Sequence, residues 1–260
     1  MPPIQSRVVV AQQGAAVRAG GRSATSIRND LVPITNFFQG TAIAMFDLSV
    51  FESLTFGGGE ITNIANLLNP GTYDLNCASE PVGYDATGID GRPAGTSNGV
   101  DHQSGTINLA GAGIAIGDTV AAHLIFQHDG YDGSTGYFNF DQLTGPTLRA
   151  NATNVIFQTS AGPIFYDLID VGVPHADQVE LSVANNQRVR RDGGSWQHNS
   201  LALGALGADP TTVVWRNGGQ YEPVRFGALV ITKDATETQM DEWLAGYVAP
   251  RFPTIAGALP

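Results

Sequence analysis

From Thr41 onward the chain is a succession of short apolar runs cut by clusters of glycine, asparagine, aspartate and proline. The runs are "TAIAMFDL" (41–48), "TVAAHLIFQ" (119–127), "TNVIFQT" (153–159), "PIFYDLIDV" (163–171), "QVELSVA" (178–184), "QRVRR" (187–191), "SLALGAL" (200–206) and "EPVRFGALVIT" (222–232). Each has the length of a strand, and most carry β-branched or aromatic residues. Strands recurring this closely, with turn chemistry between them, predict an all-β sandwich or barrel. The Asp-Gly-Gly of "RRDGGSW" suits a tight hairpin, because those residues accept positive φ.

One segment breaks the pattern. In "ITKDATETQMDEWLAGYVAPRFP" (231–253), Met240, Trp243, Leu244, Tyr247 and Val248 recur at helical spacing. Such a stripe has to lie against an apolar surface, here the outside of the sandwich. Thr236 and Gln239 form a capping box, and Glu237 places negative charge in the first turn, where the helix dipole favours it. Pro250 is expected to close the helix, since the residue before a proline avoids the α region.

Composition agrees with many strands and turns: of 260 residues, 32 are glycine and only 14% are charged. The net charge of −11 is unevenly spread. Residues 1–40 hold Arg7, Arg18, Arg22 and Arg28 against the single acid Asp30, whereas 41–260 hold 9 basic and 23 acidic residues. An acidic body repels phosphate backbones, so no nucleic-acid partner is expected. Few large apolar residues lie between Ala11 and Asn29, so this segment cannot build its own core and is disordered when isolated. A basic arm docked on neighbouring acidic bodies would be held, and assembly through these four arginines is the favoured reading. No apolar run reaches the length of a membrane span, and none of the N-terminal runs is long enough for a secretory signal. The lone cysteine, Cys77, reads as a small buried apolar side chain.

Several segments then occur in a telling order. Phe46 and Asp47 open "AIAMFDLSVFESLTFGGGEITNIANLLNPGTYDLN" (42–76); "GIDGRPAGTSNG" (88–99), "TVAAHLIFQ", "NNQRVRRDGG", "LALGALG" and the closing strand and helix follow. Over roughly residues 42–252 the chain resembles the concanavalin A-like (laminin-G-like) jelly-roll domains of phage virion proteins and bacterial surface proteins. It departs from them at Ile64–Asn66, where the family has a tryptophan, and around Ser97–Gly99, where an aromatic residue is missing. The resemblance implies an all-β jelly-roll sandwich over 41–253, with one C-terminal amphipathic helix, an extended arm over 1–40 and a tail over 254–260. It implies a structural virion protein, such as a tail-fibre, head-spike or decoration component. Its partners would be other virion proteins, copies of itself and host-surface polysaccharide. A free bacterial carbohydrate-binding module or adhesin is the alternative.

Candidate chemistry is sparse. Glycosidases need two carboxylates facing each other across a sugar bond, and the E-x-D-x-x-E spacing that glucanases of this fold use is absent. Asp167 and Asp170 fall three apart and point to opposite faces of a regular strand. His102, His123, His128, His175 and His198 show no metal spacing, and there is no G-x-S-x-G elbow or phosphate loop. The reading is a non-enzyme without a resident cofactor. The loop "HDGYDGSTGYFNFD" (128–141) is the best binding candidate: Asp129 and Asp132 offer carboxylates, and Tyr131 and Tyr137 offer rings for a sugar to stack on. Calcium is an alternative occupant of those carboxylates, although the alternating acids of an EF-hand are missing. Trp196 and Trp215, beside glycine-rich turns, are further platforms, whereas Trp243 belongs to the helix stripe.

Overall fold

The computed structural model describes residues 32–97, 105–114, 118–130, 135–140, 147–150, 153–159, 162–168, 170–182, 186–199, 211–214, 216–217, 220–221 and 223–259. The four arm arginines, the expected strand 200–206, and Tyr131, Asp132 and Trp215 lie outside them. Two antiparallel sheets make the all-β jelly-roll sandwich. The first runs Gln197–Asn199, Asn186–Arg191, Pro174–Ser182, Thr119–His128, Val224–Lys233, Arg92–Thr96 and Gly83–Ile89. Ala42–Asp47 also pairs with Val224–Lys233, continuing the edge that Arg92–Thr96 begins. Among the described residues the second sheet has nine strands, from Gly162–Leu168 at one edge to Leu54–Gly57 at the other.

Thr119–His128 is buried along nearly its whole length because both of its faces are covered. Val120, Ala122, Leu124 and Phe126 meet the second sheet, while Ala121 and Ile125 join a second core beneath the terminal helix. Val224–Lys233 does the same with a change of parity. Val224 and Phe226, then Leu229 and Ile231, point into the sandwich, and the register skips at Gly227. A bulge there re-aims the side chains that follow it. At the "RRDGGSW" hairpin Asp192 and Gly193 both take positive φ (49° and 69°), as the turn reading requires.

The capping box forms: Thr236 Oγ1 accepts from Gln239 N, and Gln239 Oε1 accepts from Thr236 N. The whole apolar stripe from Met240 to Val248 is buried. Pro250, however, does not end the helix. After Glu237–Trp243 the backbone widens into a π turn over Leu244–Val248 and continues through Ala249–Arg251. The wide turn accommodates a proline that an α-helix interior would reject. The break comes at Phe252, which leaves the α region (φ −122°, ψ 82°) ahead of Pro253. Domain limits shift as well. Ile34 and Phe38 lie in the second core, so they belong to the body rather than the arm, and the compact unit begins at Leu31. Ile255 is buried in the same core, so the body runs past 253.

Candidate functional site

Strand register assembles a cleft at one end of the first sheet. Arg225 is paired with Thr96 on one side and Gln127 on the other, and Thr96 is paired with Gly83. Tyr84, Asp85, Thr96, Ser97, Asp129 and Arg225 therefore converge, lining an open cleft of about 590 Å³. That volume falls among those of small-molecule sites, roughly 300–1,000 Å³.

Arg225 organises the cleft. Its Nε donates to both oxygens of Asp129 (2.9 and 2.7 Å), and its Nη1 donates to Asp85 Oδ2 (2.6 Å) and to the Gly88 carbonyl (3.1 Å). Gln127 Nε2 also donates to Asp129 Oδ1 (3.0 Å). The Thr87 backbone N–H, then its hydroxyl and Arg225, hold the Asp85 carboxyl below its ordinary pKa against the opposing effect of burial. Burial alone would lower Arg225, but Asp129 and Asp85 outweigh it and the guanidinium is raised. The floor of the cleft thus carries two carboxylates around one cation.

An aromatic cluster adjoins this polar floor. Tyr84 meets Phe56 edge-on at 5.5 Å and Phe51 at 6.1 Å, and those two rings stack at 5.5 Å. Phe51 and Phe56 are 57% and 37% exposed, which is unusual for phenylalanine. Ring faces beside ionised hydrogen-bonding groups suit a ligand with one apolar face and a hydroxylated edge, the character of a sugar ring.

Of the sequence candidates among the described residues, only Asp129 lies here. Tyr137 does not face outward: it is 2% exposed, stacked on Phe126 at 4.7 Å inside the sandwich. Thr135–Asn139 lies in the second sheet, and register turns this ring inward. Trp196 sits against the terminal helix, with its Nε1 donating to Glu237 (2.5 Å) and the guanidinium carbons of Arg188 and Arg190 at 4.1 and 4.6 Å from the ring centroid. It serves as a clamp, because cations and helix occupy the surface a ligand would need. Sequence reasoning missed Phe51, Phe56, Tyr84, Asp85 and Arg225. Arg225 had a signal: a charge within the apolar run "EPVRFGALVIT" requires a partner.

Tyr137 instead joins a sealed polar cluster. Its hydroxyl and that of Tyr166 donate to Asp177, which also pairs with Arg191 Nε (2.9 Å). Burial first, then the Asp177 charge, raises both phenols well above their ordinary range, so they stay protonated as donors. Asp177 is fully buried, so this cluster ties the two sheets together and meets no substrate. Among the described residues no group of three His, Cys, Asp or Glu is placed to hold a metal.

No protein-family model and no curated protein sequence matches this chain. Solved structures do match its fold. The binding domain of Paraclostridial Mosquitocidal Protein 1 aligns with a TM-score of 0.57 at 12% identity, over 78% of this chain and 51% of that one. Domain 4 of AbnA, a GH43 extracellular arabinanase from Geobacillus stearothermophilus solved with arabinotriose, aligns with 0.51 at 15% identity, over 78% and 98%. Trypanosoma rangeli sialidase with the inhibitor DANA gives 0.56 at 11%, over 77% and 32%. The chain thus spans about a third of the sialidase and about half of the mosquitocidal binding domain. At these identities the likeness is one of fold, a β-sandwich.

Proposed function

We propose that this chain is a non-catalytic glycan-binding domain, carried on a phage or phage-like particle and anchored there by its basic N-terminal segment. The observation that carries the binding reading is the pair of exposed rings Phe51 and Phe56 with the half-buried Tyr84, beside the open cleft of Asp85, Asp129 and Arg225. Domains of this fold solved in complex with arabinotriose, or serving as the binding domain of a mosquitocidal protein, support it. Hydrolysis is disfavoured by the cleft itself. A glycosidase needs a carboxyl that keeps its proton near neutral pH, whereas Asp85 is held below the usual range.

The virion reading rests on the resemblance in motif order and on opposite charges in the N-terminal segment and the body. Weak binding in single sites becomes strong attachment when many copies are displayed together. The test is a glycan array probed with the full chain, followed by Tyr84→Ala and Phe56→Ala. Loss of stacking should weaken the bound glycan about tenfold per ring, on the order of 1–2 kcal/mol, without unfolding. Binding untouched by both substitutions would place the site elsewhere. A monomer that binds glycans and never enters a particle would make it a free bacterial carbohydrate-binding module or adhesin.

A further inference from the structure

The charges on the cleft floor specify more than a site. Two carboxylates and one guanidinium leave the floor with net negative charge, and the rest of the body is acidic as well. The bonds that Arg225 makes are directed at its own carboxylates through Nε and Nη1, so the cation is neutralised in place. A ligand carboxylate entering here would meet two like charges and a guanidinium whose Nε and Nη1 already donate to those carboxylates.

A ligand hydroxyl meets the opposite situation. Each carboxylate oxygen has two lone pairs. Among the described residues, Asp85 Oδ2 and Asp129 Oδ2 each accept one bond, from Arg225, and keep a second lone pair. Charge-assisted O–H···O⁻ bonds are among the strongest a neutral ligand can make, and they require the ligand to donate. Tyr84 lines the cleft and also touches Phe51 and Phe56, so one ligand can reach floor and rings together.

We infer that the cleft selects uncharged glycans, with ligand hydroxyls donating to Asp85 and Asp129 and an apolar ring face on Phe51, Phe56 and Tyr84, and that it rejects glycans bearing carboxylates. This rests on the glycan-binding reading above and sharpens it to a substrate class.

The experiment measures binding of the full chain, by calorimetry, to uncharged hexose and pentose oligosaccharides. The hexose oligosaccharides are also offered as counterparts oxidised to carboxylates at C6. At least one uncharged oligosaccharide should bind, and its carboxylate counterpart at least about tenfold more weakly. The double variant Asp85→Asn, Asp129→Asn turns the floor from net negative to net positive. It should lose about tenfold toward the uncharged ligand and narrow or invert the gap. If thermal melting shows that it fails to fold, Asp85→Asn alone, at the more exposed carboxylate, should shift the gap in the same direction. A carboxylate counterpart that binds the unaltered chain as tightly as its parent overturns the inference while leaving glycan binding intact. No binding by either series overturns the glycan reading itself, and this inference with it.

Discussion

His123 lies on a strand covered on both faces, where a charged imidazole has no water to solvate it. Gln178 Nε2 lies 3.2 Å from its Nδ1, and as an amide N–H it can only donate, so Nδ1 accepts. The ring proton is then on Nε2, facing the Thr232 hydroxyl at 3.2 Å. Burial, with Arg190 nearby, lowers the pKa from 6.5 to about 3. The folded state prefers the neutral ring, so the stabilisation is complete above pH 6.5 and is lost as pH falls toward 3. Within that window each such histidine contributes a slope of about 1.4 kcal/mol per pH unit. His123→Gln should cost stability at pH 7.5, yet reduce the slope of urea-unfolding stability against pH by about that amount. An unchanged slope would mean that His123 is protonated in the fold. His128, lowered to about 3 by burial first and then Arg191, adds a second acid-sensitive group inside the sandwich.

The terminal helix is the element that the sequence described best, and it shows where such reading stops. Its cap and stripe depend on residues three and four apart, so periodicity exposed them. Arg190 Nε donates to Gln178 Oε1 (2.6 Å) and Gln178 Nε2 to the Met240 carbonyl (3.3 Å), joining residues 12 and 62 apart in the chain. No local pattern reports such contacts. Likewise Asp129 was legible as a loop carboxylate, but the partner that decides its role, Arg225, lies 96 residues away. Tyr137 and Trp196 were misread because an aromatic beside glycines looks the same whether register turns it out or in. The clamp yields a discriminating outcome. Trp196→Phe keeps the ring but removes the donor to Glu237, and should lower stability by about 1 kcal/mol in chemical denaturation. Thr236→Ala, which removes the cap, should cost a similar amount, about 1 kcal/mol. Neither should change glycan affinity, whereas Tyr84→Ala should. A large affinity loss in Trp196→Phe would return that tryptophan to the binding surface.

At the scale of the molecule, the division of labour proposed here separates residues 1–30 from a body that begins at Leu31. Ile34 and Phe38 are bound into the core under the helix, so a deletion through residue 40 would damage the body and confuse two effects. A chain lacking residues 1–30 avoids this. It loses the three-charge excess of Arg7, Arg18, Arg22 and Arg28 over Asp30 while every described core residue remains. It should melt at the temperature of the full chain and bind the same glycan with the same monomeric affinity. It should fail to enter particles when expressed during infection. Attachment through basic side chains on acidic partners is screened at about 10 Å in 0.1 M salt, so self-association of the full chain should weaken as salt rises. Normal incorporation of the shortened chain would show that the body carries its own docking surface, and the basic segment would then have no anchoring role.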